Sequence, residues 1–155
     1  MKKIICTFIF LLLTNSGLTA MSGNGDSNQK NLYKAAKKLI VRAKKLEKKD
    51  KLEKAIKLYS KAYNKLSKAY DKDKKNPDIL NYLGFTLRKA GNFEEAEKFY
   101  LEGLNIKPDH EGINEYLGEL YVKTNRIELD KERLEVLKGC KCEEFEELKE
   151  LIDKN

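Results

Sequence analysis

Two cysteines, Cys140 and Cys142, stand one residue apart near the end of the chain, and a third, Cys6, lies near its start. A thiol pair at this spacing can close a small disulfide, pair with another chain, or offer two thiolates to a metal or redox partner. Two thiolates alone make an incomplete zinc site, which takes four ligands and often uses His. The single histidine, His110, is far away in sequence and is expected to lie exposed at the start of a helix. Carboxylates cluster at Glu143, Glu144, Glu146 and Glu147, where a solvated helix face explains them better than acid–base catalysis does. There is no Gly-rich phosphate loop and no nucleophile elbow. The expectation is a chain without catalysis, without a cofactor and without a resident metal.

The elements that would position such residues follow from composition. The 155 residues are 41% hydrophobic and 37% charged, with two Pro and no Trp. So high a charge excludes an integral membrane bundle, and so few prolines exclude a long proline-rich spacer. Lys, Glu, Leu and Ala favour helix over strand. The length suits one domain.

Lys2 and Lys3 precede an uncharged apolar run, Ile4 to Leu13, too short to cross a bilayer but the right length for a secretory leader. Residues 1–22 therefore read as a signal peptide cut after Ser22, with Ala20 in the upstream small-residue slot. The expected location is outside the cytoplasm, in a periplasm. Cys6 would leave with the leader, so Cys140 and Cys142 would remain as an even pair in an oxidising compartment. Charge is divided unevenly. Residues 28–75 carry a formal +13 and residues 76–155 a formal −7. Export makes nucleic acid an improbable partner for the basic half. It points to weak contact with anionic membrane, or to weak head-to-tail self-association of basic and acidic halves.

Residues 23–31 are polar and Gly-containing and read as a flexible linker. From Leu32 the apolar pattern is helical throughout. Leu32, Ala36, Leu39, Ala43 and Leu46 mark a first helix, and Leu52, Ala55, Leu58 or Tyr59, Ala62, Leu66 and Ala69 a second. Asn76 caps a third helix with Pro77 in its first position, and Gly91 ends it. Asn92 with Glu95 forms a capping-box pattern before a fourth. Asp109 is the expected cap of a fifth. A sixth runs from about Ile127 to Lys138, and a last one over 143–153.

Asn81-Tyr82-Leu83-Gly84 and Glu115-Tyr116-Leu117-Gly118 are one phrase met twice, at the spacing of a helix–turn–helix repeat. Residues 77–110 place Leu80, Leu83, Gly84, Leu87, Ala96, Tyr100 and Pro108 in the slots of such a repeat. This segment resembles a tetratricopeptide repeat. Residues 111–138 resemble a second, with Asp130 in the slot where the family has Ala. Residues 36–76 resemble a first repeat, diverged and longer than the other two. The resemblance implies an all-α helical-hairpin solenoid of about three repeats, over residues 32–155, closed by a capping helix at 143–153. Gly84 and Gly118 would let the second helix of their own repeats approach closely.

In this family the first helices of successive repeats line a concave face. The resemblance places Ile40, Lys44 and Lys48 there, then Asn81, Tyr82, Phe85, Arg88 and Lys89, then Glu115, Tyr116, Glu119 and Lys123. Tyr and Arg are favoured at interface hot spots. The implied function is an exported scaffold or adaptor that binds a protein or peptide in its groove. The residues with which some co-chaperones of this family clamp a C-terminal carboxylate are not reproduced as a set, so that ligand is not implied. Two other readings stand beside it: a thiol- or metal-handling envelope factor using Cys140 and Cys142, and a basic protein held on a membrane surface.

Overall fold

The computed structural model describes residues 23–155; the leader expected at 1–22 lies outside the described residues. Seven helices follow one another: α1 (Gly23–Glu47), α2 (Leu52–Tyr70), α3 (Pro77–Lys89), α4 (Phe93–Ile106), α5 (Glu111–Lys123), α6 (Ile127–Leu137) and α7 (Glu143–Asp153). No strand occurs among the described residues, and none of their helices is long and apolar enough to cross a membrane. The helices pack as antiparallel pairs, α1 with α2, α3 with α4 and α5 with α6, and each pair stacks on the next.

The turns inside the three pairs share one construction. Asp50, Gly91 and Asn125 take left-handed backbone, at φ 55°, 85° and 59°. The amide after each donates back to the helix it leaves: Lys51 to the Leu46 carbonyl, Asn92 to Leu87 and Arg126 to Tyr121. These are Schellman closures, which satisfy carbonyls the helix end leaves orphaned. They recur in step with the sequence repeat, spaced more widely between the first and second than between the second and third. Only the middle turn uses glycine for the left-handed position. Asp and Asn serve at the other two because their short polar side chains tolerate that conformation.

The slots fill as the repeat pattern requires. Leu80, Leu83, Ala96 and Tyr100 are fully buried in the middle pair, as are Ala43, Ala55, Tyr59 and Ala62 in the first. Tyr59 rather than Leu58 is the core residue of α2. A Cβ on Gly84 would stand 2.5 Å from the Tyr100 ring, so the α3–α4 approach needs a residue without one. Gly118 behaves differently from expectation. Its space is taken by Leu148 of α7, not by α6, because Leu134 stands where the middle repeat has Tyr100 and is only half-buried. The capping helix supplies the bulk the third pair lacks. Asp130, in the Ala slot, is buried, and its carboxyl is pushed up by that burial.

The expected flexible linker at 23–31 is corrected: α1 begins at Gly23. The 19-residue α2, longer than the 14-residue α4, gives α1 a partner to run along back to about Gln29. Gln29 Nε2 donates to Asp73 Oδ2 at 3.1 Å and ties this extension to the turn after α2. Two caps also differ. Asn76 caps α3 as expected, accepting from the amides of Asp78 and Ile79. Asn92 precedes α4 but makes no side-chain cap bond.

The cap of α5 is His110, not Asp109: its Nδ1 accepts from the Ile113 amide at 3.2 Å. The proton is then on Nε2, which donates to Asp78 Oδ1 at 3.3 Å. With its side chain 12% exposed, His110 is a link between repeats rather than an exposed residue. His110→Ala should cost about 1 kcal/mol, the usual value of a lost cap. Equal denaturation midpoints for variant and wild type would show that the link contributes nothing.

Candidate functional site

The inner face is built by α1, α3, α5 and α7, and its curvature can be read from one contact. Lys44 of α1 reaches over α3 and donates to the Tyr116 hydroxyl of α5 at 3.2 Å. Beneath that bridge lies Phe85, with the Lys44 ammonium 5.0 Å from its ring centre and the Tyr116 ring 4.8 Å away. Aromatic rings continue along the face. Tyr82 stands 6.5 Å from Phe85, and Tyr33 of α1 stands 5.9 Å from Tyr82, both edge to face. The Lys37 ammonium sits 5.5 Å from both the Tyr33 and Tyr82 rings. Cations over aromatic faces are held by the ring quadrupole. Here they leave a surface of half-buried phenol rings crossed by exposed ammonium groups. Among the described residues, no carboxylate lies within ion-pair distance of Lys37 or Lys44.

At its other end the face opens into a cavity of about 360 Å³. Arg88 pairs with Glu119 there, and Lys89 Nζ pairs with Glu47 at 2.8 Å. Lys123 and, from α7, Leu151 complete the wall. The Arg88 guanidinium also stacks 5.4 Å from the Tyr116 ring, so it is tied on two sides.

The twelve residues expected on this face do not share one environment. Tyr82 and Tyr116 are half-buried with ring surface on the groove, and Lys89, Glu119 and Lys123 line the cavity. Asn81, Phe85 and Glu115 are corrected. Phe85 is 2% exposed under Lys44, Arg88 and Tyr116; Asn81 is covered where the start of α5 approaches at Gly112; Glu115 is sealed beneath α7. None of the three meets solvent enough to touch a partner. Arg88 has a 10% exposed side chain that neutralises Glu119, so it braces the groove instead of presenting a charge. Ile40 is also core, Lys44 is on the groove, and Lys48 is exposed in the turn that follows α1.

Sequence reasoning missed Tyr33, Lys37 and the cavity residues Glu47 and Leu151. A signal for the first two was available. Tyr33, Lys37, Ile40 and Lys44 follow a spacing of four, three and four, which is one helix face. Tyr33 falls before the residue at which the diverged repeat starts, so the repeat pattern passes it over.

Burial sets the charge of two neighbouring groups on α5. Burial raises the Glu115 carboxyl to about 10, helped by its hydrogen bond to Glu147 and by the nearby Glu119. At neutral pH Glu115 is therefore a neutral acid holding α5 to α7. Burial likewise pushes up the Tyr116 phenol, which stays protonated as a neutral groove residue. Cys140 and Cys142 lie away from this surface, in the turn between α6 and α7, joined as a disulfide with Cα atoms 5.1 Å apart.

Residues 42–109 match the family model described as tetratricopeptide repeat. A mouse protein O-mannosyl-transferase, TMTC3, is 33% identical over 54 residues, which is 35% of this chain but 6% of that protein. Among solved structures, a tetratricopeptide repeat protein from Parabacteroides merdae superposes with a TM-score of 0.55 at 16% identity, over 78% of this chain and 60% of its own. The Yersinia enterocolitica type III secretion chaperone SycD, in complex with a peptide of the translocator YopD, gives 0.55 at 15% identity, over 78% of this chain and 88% of that one. The second such domain of human RPAP3, in complex with the HSP70 peptide SGPTIEEVD, gives 0.53 at 18%, over 82% and 99%.

Proposed function

We infer that this chain, a tetratricopeptide-repeat protein, is an interaction module that binds an extended acidic segment of another protein along its concave face. The observation that carries this reading is the row Tyr33–Tyr82–Tyr116 with Lys37 and Lys44 standing over it. Phenol rings offer broad apolar area at little entropic cost, and the two ammonium groups favour carboxylates. Similar structures hold peptides, one of them the acidic SGPTIEEVD on human RPAP3. The fold likeness supports binding of that class without identifying the sequence bound. The reading gives the chain no catalytic role.

We also propose that the protein works after export, which rests on the leader pattern at 1–22. The basic hairpin of α1 and α2, with Val41, Leu52 and Ile56 exposed among its lysines, suits a weak second contact with an anionic surface.

Titration of a fluorescent peptide of alternating Glu and aliphatic residues tests the groove. Tyr82→Ala and Lys44→Ala should each weaken binding about tenfold, the effect of losing about 1–2 kcal/mol at a hot spot. Helicity should be unchanged. Arg88→Ala is a poor probe, because it strands Glu119. Equal affinity of folded Tyr82→Ala, Lys44→Ala and wild type would remove the proposed groove.

A further inference from the structure

The turn between α6 and α7 brings its two sulfurs against a carboxylate from a distant part of the chain. A carboxylate oxygen of Glu111 and the sulfurs of Cys140 and Cys142 all lie within 4.8 Å of one another. Glu111 is in the first turn of α5, so the whole of α5 and α6 separates it from Cys140 along the chain. Both α6 and α7 pack on α5, which sets the turn beside that helix end. The α5 end is itself fixed. His110 caps it, and Asn114 Nδ2 donates to the carbonyls of Pro108 and His110 at 3.0 and 3.1 Å. A disulfide staple has no need of a carboxylate beside it, since its sulfurs carry no charge and donate no proton.

We propose that the reduced Cys140–Cys142 pair and Glu111 form a binding site for a soft divalent cation of the zinc class, and that the disulfide is its closed state. Two thiolates and one carboxylate are a donor set that zinc accepts, with metal–sulfur and metal–oxygen distances of about 2.3 and 2.1 Å. Donor atoms around one such ion stand about 3.3–3.8 Å apart. Once the disulfide is opened, side-chain rotation lets the two sulfurs part and the carboxylate close in to that spacing, because Glu111 is exposed and both cysteines are only half-buried. Water completes the tetrahedron. Three negative donors around a dication leave one negative charge, with Lys141 between the two cysteines to offset it.

The redox step balances with an external dithiol. The dithiol gives two electrons and two protons, the S–S bond opens to two thiols, and the dithiol becomes a disulfide. The entering cation then displaces both thiol protons.

Cobalt(II) is the probe, since thiolate coordination gives a sulfur-to-cobalt charge-transfer band. The full chain carries Cys6→Ser, so that only this pair supplies thiolate. Reduced protein should bind one equivalent with that band and release it to added zinc. Oxidised protein should show no band. Cys142→Ser should abolish it, and Glu111→Gln, at an exposed position that leaves folding intact, should weaken binding at least tenfold. No band in reduced protein, a band in oxidised protein, unchanged affinity of Glu111→Gln, or one metal per two chains would each overturn the site.

Discussion

Gly84→Leu should lower the thermal unfolding midpoint by roughly 5–10 °C. The missing side chain at this position is what lets α3 and α4 meet: a Cβ would fall 2.5–2.8 Å from three atoms of the Tyr100 ring. Tyr100 is fully buried among Ala96, Ile113 and Leu117, so its ring cannot swing out of the way. Overpacking of this kind costs about 3 kcal/mol at the upper end, and removing a helical glycine returns up to about 1 kcal/mol. The net of about 2 kcal/mol converts at about 3–5 °C per kcal/mol for a chain of this size. An unchanged midpoint would mean that the α3–α4 register is wrong. Gly118→Leu should act elsewhere, displacing Leu148 and loosening α7 while leaving the first two helix pairs intact.

The acid buried beneath α7 makes stability depend on pH. The Glu115 carboxyl is raised from 4.5 to about 10 by burial, by Glu147 and by Glu119. The folded chain therefore holds a proton that the unfolded chain has released between those two values. Stability is full below the unfolded value and declines as pH rises toward 10. Glu115→Gln keeps an N–H to donate to Glu147 and has nothing to ionise. At pH 7 the variant should be more stable than wild type by up to about 3 kcal/mol, the linkage over about 2.5 pH units. The difference should shrink to nothing near pH 4 and widen toward pH 9. Urea midpoints of the two proteins across that range decide it. A constant difference would show that Glu115 is ionised in the folded state.

The repeat was legible because its slots are set by contact: Gly84 against Tyr100 and Ala55 beside Tyr59 are small residues that only close packing requires. The turns were partly legible, since Gly91 announces a left-handed residue while Asp50 and Asn125 do so less plainly. What the sequence hid depends on partners far away in the chain. Phe85 reads as a groove residue until Lys44, from the preceding helix pair, closes over it. Glu115 likewise reads as a groove residue until α7 covers it. His110 reads as exposed until its two ring nitrogens find Ile113 and Asp78. Helix periodicity tells which face a residue occupies, but not what lies on that face.

The acidic segment proposed above would lie along the face formed by α1, α3 and α5. Amide chemical-shift changes in the isotope-labelled protein, recorded as the Glu-rich peptide is added, test it most directly. Binding along the groove should give saturable shifts concentrated around Tyr33, Lys37, Lys44, Tyr82 and Tyr116, fading as salt is raised. Shifts confined to the outer helices α2, α4 and α6, or no saturable shifts at all, would contradict it.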